Sequence, residues 1–145
     1  MDEYFARDIM TGKVVTIEQS SPVTEAAKKM TENKIGCVVV TRDGTPEGII
    51  TGSDLVKLIA LNKNPMSTGV SEAMSSPLIS LGPDSTVWEL AEEMKLRGIH
   101  RMPIIHEKSL IGIVTTSDIT RLCSIGSDSE IRMVCQQILQ RLQQP

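Results

Sequence analysis

Two segments of the chain pair a short apolar strand with a carboxylate at the start of the following helix. The first runs from Gly48 to Leu55, and the second, of very similar sequence, runs from Gly112 to Ile119. The acids are Asp54 and Asp118. A carboxylate has two acceptor oxygens at a separation that matches the two adjacent hydroxyl donors of a ribose. Both residues are therefore candidate ribose ligands, and their alternative role is to cap free N–H groups of the helix.

Hydroxyl side chains accompany each acid. They are Thr51 and Ser53 in the first segment, and Thr115 and Ser117 in the second. The first N–H groups of a helix have no partner within the helix, so this position suits phosphate oxygens. Helix capping is again the alternative role of these side chains.

The pair His100-Arg101 is a further candidate for binding a phosphate group. Arginine offers a planar fork of donors, and histidine supplies a donor whose charge changes near neutral pH. The corresponding pair in the first half of the chain is Gly36-Cys37, so the two halves differ at this place. A solvated arginine and a structurally satisfied histidine are the alternative interpretation.

The composition favours a compact aliphatic protein over a nucleic-acid binder. The chain has 145 residues, of which 40% are apolar and 23% charged, enough for one domain or two small packed halves. Aromatic residues are only 2%, so few side chains could stack on nucleic-acid bases. The net charge of −3 also lacks the basic excess that binding to a phosphate backbone requires. DNA and RNA are therefore not expected as partners.

Neither the N-terminus nor the cysteines indicate export or a membrane. The N-terminus is acidic without an apolar signal region, and no apolar run approaches the roughly 18 residues of a membrane span. The three cysteines, Cys37, Cys123 and Cys135, fit neither a CxxC motif nor zinc spacing. We therefore expect reduced structural thiols, no metal site and a cytoplasmic location.

The chain consists of two copies of one β-α-β-β-α unit. Identical residues recur 64 positions apart, for example Met30 and Met94. We expect repeat 1 at 7–62 and repeat 2 at 71–124, in an α+β fold. The copies are expected to pack face to face with pseudo-twofold symmetry, because neither can cover its own sheet. An amphipathic helix at 128–143 follows, docked on the domain's own surface or used to form a dimer.

Local signals place the elements within repeat 1. Ser21 is expected as the N-cap of a helix, with Pro22 at the first helical position. Residues 35–40 form an apolar, β-branched run that is typical of a strand covered on both faces. Asp43-Gly44 predicts a hairpin turn that leads to a return strand at residues 48–51.

The doubled pattern resembles a known family. Asp8-Ile9-Met10 near the start, an apolar strand, and Gly-Ile-Ile-Thr-x-Ser-Asp at the end of the unit resemble the cystathionine-beta-synthase (CBS) domain, which occurs in tandem as the Bateman module. The resemblance covers about residues 7 to 124, nearly the whole chain. The stretch from Gly98 to Ile104 is also similar to the nucleotide-binding strand in the gamma subunit of AMP-activated protein kinase.

This resemblance implies a function. Such domains bind adenosine-containing ligands, namely AMP, ADP, ATP or S-adenosylmethionine, in clefts between paired repeats. They regulate an attached or partner protein and do not themselves catalyse a reaction. No enzyme domain accompanies the repeats, so the resemblance implies a free-standing sensor that requires no cofactor and forms a homodimer, a disc of four repeats.

The resemblance also implies two sets of ligand-binding residues, each built on one of the acids, with apolar members that hold the purine between them. Because only one set contains His100-Arg101, we expect the Asp54 site to favour phosphorylated ligands and the Asp118 site to prefer a less charged one. The first set is Ile49, Thr51, Ser53, Asp54, Met74, Ile79, Ile99, His100 and Arg101. The second set is Met10, Val15, Ile35, Gly36, Ile113, Thr115, Ser117 and Asp118.

Two other functions stay open. One is a small enzyme, although the sequence shows no Ser-His-Asp, Cys-His or metal-ligand grouping. The other is a structural adaptor whose clefts hold no ligand. Thermal melting with adenine nucleotides separates an adaptor from a sensor, because a bound ligand stabilises the fold by mass action.

Overall fold

A computed structural model describes residues 4–125 together with residues 132, 133, 135, 136 and 140. The predicted α+β class is confirmed, with two repeats of strands and helices along the chain. The helix expected at 128–143 lies outside the described residues, apart from the five named above, which are helical. The elements are α1 (Ala6–Ile9), β1 (Thr16–Glu18), α2 (Val23–Asn33), β2 (Cys37–Arg42), β3 (Thr45–Thr51), α3 (Gly52–Ala60), α4 (Val70–Ala73), α5 (Val87–Arg97), β4 (Arg101–His106), β5 (Ser109–Thr115) and α6 (Thr116–Ile125).

The chain folds into two compact units that differ from the sequence repeats at their leading segments. The first unit is Val14–Ile79, and the second is Met1–Lys13 together with Ser80–Pro145. The leading segment of repeat 1, which contains α1, therefore packs with the sheet of repeat 2. The leading segment of repeat 2, which contains α4, packs with the elements of repeat 1.

A mixed three-stranded sheet forms the centre of the first unit. β1 pairs with β2 in parallel, and β2 pairs with β3 in antiparallel orientation. The first five residues of β2 are buried, which accounts for the nearly continuous apolar sequence of this central strand. The helices α2, α3 and α4 contribute to one aliphatic core with the sheet, made of Ile17, Val23, Ala26, Met30, Val38, Val40, Ile50, Leu58 and Val70.

The predicted Asp-Gly hairpin turn is confirmed between β2 and β3. Asp43 has a φ of 49° and Gly44 a φ of 83°, the two positive values that a type I′ turn requires. Glu18 anchors the turn, because its carboxylate accepts hydrogen bonds from the Thr41 hydroxyl (2.7 Å) and from the Asp43 N–H. These bonds favour the charged form and lower the pKa of Glu18 below its ordinary value of 4.5.

The start of α2 differs from the sequence prediction. Pro22 is the N-cap and Val23 the first helical residue, so the assignment of Ser21 as N-cap is wrong by one position. The main chain of Ser21 explains the difference. Its N–H donates to the Glu18 carbonyl (2.9 Å), and its carbonyl accepts from the Val70 N–H (2.9 Å), which holds this residue outside the helix.

The start of β2 also lies later than predicted, at Cys37 instead of residue 35. Lys34 ends α2 in the left-handed conformation, with a φ of 54°. The Ile35 N–H then donates back to the Met30 carbonyl (3.0 Å). Ile35 and Gly36 are therefore part of the helix-to-strand connection.

A two-stranded antiparallel sheet of β4 and β5 forms the second unit with α1, α5 and α6. The first strand expected in repeat 2 is reduced to a single bridge between Leu81 and Ile104. Gly82 and Pro83 follow this bridge. Because proline has no N–H to donate to a ladder, the strand ends here.

The expectation of reduced thiols is wrong for two of the three cysteines. Cys123 in α6 and Cys135 form a disulfide, and their Cα atoms are 6.1 Å apart. Their separation of 12 residues carries no signal of this pairing, which depends on how α6 packs with a later helical segment. Cys37 is buried in β2.

Candidate functional site

The β3–α3 junction holds Asp54 in a fixed orientation. Thr51 is the N-cap of α3, and Asp54 is the third helical residue. The Oδ2 atom of Asp54 accepts hydrogen bonds from the Thr51 N–H (2.8 Å) and the Thr51 hydroxyl (3.1 Å). The Asp54 N–H donates in return to Oγ1 of Thr51 (3.4 Å). This reciprocal arrangement is a capping box, so the capping role considered from the sequence is present here.

The β5–α6 junction repeats this geometry around Asp118. Its Oδ2 atom accepts from the Thr115 N–H (2.8 Å) and the Thr115 hydroxyl (3.1 Å). The Asp118 N–H donates to Oγ1 of Thr115 (3.2 Å). The exposed Ser117, like Ser53 in the first repeat, stands one residue before the acid. Two identical Thr-x-x-Asp junctions therefore each present one carboxylate held by its own N-cap.

The second carboxylate oxygen distinguishes the two junctions. Oδ1 of Asp118 lies 3.4 Å from an Nη atom of Arg121, and the Asp118 side chain is only 5% exposed. The residue that corresponds to Arg121 in repeat 1 is Lys57, and Asp54 is half-buried. The contacts between described residues include no ion pair to Asp54. Oδ1 of Asp54 is therefore the more available of the two acceptors.

A methionine side chain packs on the strand of each junction. Met74 lies against Gly48 at the start of the Asp54 segment, and Met10 lies against Gly112 in the Asp118 segment. Main-chain bridges fix these contacts, between Ile49 and Ser75 in the first unit and between Thr11 and Ile113 in the second. Each methionine thus contacts the strand that leads to the acid with which the sequence analysis grouped it, and its role in binding stays a prediction.

His100 and Arg101 lie beside the Asp118 junction of their own repeat. Arg101 is opposite Thr115 in the β4–β5 pair, and the Thr116 N–H donates to the His100 carbonyl (3.1 Å). His100 is exposed, and Arg101 is half-buried. The predicted placement of this pair opposite Asp54 stays a prediction.

The corresponding neighbours of Asp54 in the first unit are Gly36 and Cys37. Cys37 is opposite Thr51 in the β2–β3 pair, and the Gly52 N–H donates to the Gly36 carbonyl (3.2 Å). The two junctions therefore share their main-chain geometry, whereas the flanking side chains differ in charge.

The predicted binding residues are divided between the two units. Each predicted set takes members from both, so the complete sets stay predictions. The first unit holds Val15, Ile35, Gly36, Ile49, Thr51, Ser53, Asp54, Met74 and Ile79. The second unit holds Met10, Ile99, His100, Arg101, Ile113, Thr115, Ser117 and Asp118.

A groove beside Asp54 adds residues that the sequence analysis did not single out. It runs along α3 and the segment that leads into α4, and it encloses about 160 Å³. Lys57 and Lys63 balance the carboxylates of Asp54 and Glu72 there, and the two lysines are the groups that could contact an anion. Lys57 could have been found from its spacing, because it follows Asp54 by three residues and shares its helix face. The lining residues are Asp54, Lys57, Leu58, Leu61, Lys63, Thr68, Glu72 and Ala73.

Metal binding and membrane spanning have no support in the described part of the chain. Its His, Cys, Asp and Glu side chains include no group of three that could hold a metal ion. Among the same residues, no helix combines the length and apolar character needed to cross a membrane. The chemistry available at the two junctions is thus that of carboxylate acceptors, hydroxyl donors and nearby cations.

Comparison with known proteins yields one family. Its relatives include a small protein of which the match covers about four fifths and a larger enzyme of which it covers about a quarter. The family model described as "CBS domain" matches the chain twice, at residues 6–61 and 70–125. The CBS domain-containing protein YhcV of Bacillus subtilis (strain 168) is 30% identical over 113 residues, which cover 78% of this chain and 81% of YhcV. A homoserine O-acetyltransferase of Methanohalobium evestigatum is 32% identical over 120 residues, which cover 81% of this chain but 24% of that enzyme.

A solved structure supports the same relationship. The CBS domain pair of protein MJ0100, in complex with 5′-methylthioadenosine and S-adenosyl-L-methionine, superimposes with a TM-score of 0.78 at 28% identity. The match covers 85% of this chain and 98% of that chain. The resemblance inferred from the sequence is thereby confirmed, since the family model matches both repeats. The chain belongs to the CBS domain family and contains two CBS domains.

Proposed function

We propose that this chain is a regulatory module that binds an adenosine-containing ligand, AMP, ADP, ATP or S-adenosylmethionine, at its Thr-x-x-Asp junctions. The observation that carries the proposal is the fixed carboxylate at the start of α3 and again at the start of α6. The CBS domain pair of MJ0100, a structural neighbour, is in complex with two adenosine compounds. That relationship supports the class of ligand.

The capping geometry refines how Asp54 would hold a ribose. Oδ2 already accepts two hydrogen bonds from Thr51, so it is committed to the cap. Oδ1 keeps two lone pairs for ribose hydroxyl groups. Because the cap fixes the side chain before a ligand arrives, binding costs little side-chain entropy.

Anionic parts of the ligand have suitable partners near the same junction. The exposed Ser53 offers a hydroxyl at the start of α3, where the helix dipole favours negative charge. Lys57 and Lys63 line the adjoining groove. These groups can hold a phosphate or a carboxylate. Binding of such a ligand would then signal to a partner protein.

A melting screen tests the proposal. AMP, ATP and S-adenosylmethionine are each added at millimolar concentration, with UMP as the control that lacks adenine. A ligand present at a hundred times its Kd stabilises the fold by roughly 2.7 kcal/mol, which raises Tm by several degrees. We expect this rise with at least one adenosine compound and a smaller one with UMP. No shift with any adenosine compound would favour the structural adaptor, and conversion of a nucleotide, followed by mass spectrometry, would favour an enzyme.

The proposal extends to a homodimer formed through α3. Val56 and Ile59 lie one turn apart on this helix and are 66% and 67% exposed, and a second copy would remove both from water. Light scattering is expected to give the mass of a dimer for the natural chain and of a monomer for Val56→Glu/Ile59→Glu. Met66→Glu, at a position 76% exposed outside α3, is the control and is expected to stay dimeric. A natural chain that is monomeric, or a double variant that still dimerises, would contradict this assembly.

A further inference from the structure

The Cys123–Cys135 disulfide joins α6 to a later helical segment of the second unit. Cys123 lies near the C-terminal end of α6, and residues 132, 133, 135 and 136 are helical. The Cα atoms of the two cysteines are 6.1 Å apart, within the range of about 4.4–6.8 Å that suits a disulfide. The Cys135 side chain is buried, with 7% exposure. The Cα spacing is thus that of an ordinary disulfide.

The repeat shows which surface this segment covers. Position 123 in α6 corresponds to position 59 in α3, 64 residues earlier. Ile59 is strongly exposed, whereas Cys123 is half-buried and bonded to the buried Cys135. At the same offset, position 135 corresponds to Ser71 in α4, which is exposed. The disulfide thus attaches a helical segment to a helix face that is exposed in the other repeat.

We propose that Cys123 and Cys135 form a reversible redox latch that fastens the helical residues 132, 133, 135 and 136 to α6 when oxidised and releases them when reduced. Oxidation proceeds by exchange with a small-molecule disulfide such as oxidised glutathione. The two thiols lose two protons and two electrons as the S–S bond forms. The oxidant accepts these protons and electrons and is thereby reduced to two thiols. A dithiol reverses the reaction by the same exchange. The proposal uses no ligand and stands independently of adenosine binding.

The expected effect of reduction on the detachment of this segment depends on the length of the loop that the disulfide closes. A disulfide that spans 12 residues removes loop-closure entropy from the detached state. Reduction is therefore expected to raise the fraction of time that the segment is detached by on the order of tenfold to a hundredfold. Amide hydrogen exchange of a peptide that contains residues 132–136 measures this fraction directly.

Two steps with the full chain test the latch. First, the protein is treated with oxidised glutathione and then labelled with iodoacetamide under denaturing conditions. One label is expected on each chain before reduction and three after it, matching its three cysteines. Second, hydrogen exchange is measured with and without dithiothreitol. The reductant is expected to accelerate exchange in the peptide that contains residues 132–136 by about tenfold to a hundredfold.

Variants separate the latch from a general effect of the reductant. Cys123→Ser and Cys135→Ser are both expected to show fast exchange in this segment, with no further change when reductant is added. Cys37→Ser, the control in β2, is expected to keep the full response to reductant. Circular dichroism of each variant verifies that the fold is retained.

Two outcomes would overturn the proposal. Three labels before reduction would show that the disulfide does not form. Slow exchange in the oxidised chain that persists in dithiothreitol, or in Cys123→Ser, would show that the bond does not hold the segment.

Discussion

Replacing Asp54 by Asn is expected to weaken AMP binding by on the order of tenfold to a hundredfold without unfolding the protein. The substitution removes a charge and leaves the second atom of the side chain, an NH₂ group, unable to accept from a ribose hydroxyl. Hydrogen bonds to charged groups contribute roughly 1.5–3 kcal/mol, which corresponds to this loss of affinity. The Asn oxygen can still accept from the Thr51 N–H, so the cap of α3 is retained. Isothermal titration calorimetry measures the affinity, and urea denaturation measures the stability.

Two further variants make this result specific. Asp118→Asn is expected to cost less AMP affinity, because Oδ1 of Asp118 already faces Arg121 and the side chain is almost fully buried. Glu89→Gln is the control, since Glu89 is also the third residue of a helix, α5, whose N-cap accepts from its N–H (3.1 Å). It is expected to bind AMP like the natural chain. Equal losses in the two Asp variants would contradict the asymmetry, and an equal loss in Glu89→Gln would show that the effect is not local to the junctions.

Replacing Gly48 by Ala is expected to have the largest effect on stability. A Cβ atom at this position would lie 2.7 Å from the Ser75 carbonyl oxygen and 2.8 Å from Sδ of Met74. The oxygen cannot easily move, because it accepts from the Ile49 N–H (3.0 Å) and the Ser75 N–H donates back to Ile49 (2.9 Å). Overpacking of this kind costs about 1–3 kcal/mol. Urea denaturation is expected to show a lower midpoint with an unchanged m-value.

Glycines in other surroundings provide the controls. Gly52→Ala has no atom within 4 Å of the new Cβ, so it is expected to match the natural stability or slightly exceed it. In Gly112→Ala the three atoms nearest to the new Cβ all belong to the side chain of Met10, and part of the cost is expected to disappear in Gly112→Ala/Met10→Ala. A Gly48→Ala variant as stable as Gly52→Ala would contradict the close packing of α4's C-terminal end on β3.

Features encoded in neighbouring residues could be predicted from the sequence. The Asp43-Gly44 turn and the helix starts after Thr51 and Thr115 depend on contacts over two or three residues, and repetition doubled the signal for the two starts. The family resemblance rests on the same local patterns. For this reason the sequence predicts the α+β fold and the positions of the two acids at helix starts.

Features that depend on contacts between residues far apart in the chain could not be predicted from the sequence. The main chain of Ser21 is held by Val70, 49 residues away, and this contact shifts the start of α2. The disulfide of Cys123 needs the packing of a separate segment, and cysteine spacing does not encode that packing. The hydrogen bonds of the cap occupy Oδ2 of Asp54 and leave Oδ1 as its available acceptor, a difference between the two oxygens that the sequence does not encode.

The central claim is that the carboxylate of Asp54 binds the hydroxyl groups of a ribose. Calorimetry with adenosine and 2′-deoxyadenosine, on the natural chain and on Asp54→Asn, tests it most directly because the two ligands differ by one hydroxyl group. The natural chain is expected to bind adenosine about tenfold more tightly, and the variant is expected to lose most of this preference. Equal affinity for both ligands in the natural chain, or a preference that Asp54→Asn leaves unchanged, would contradict the claim.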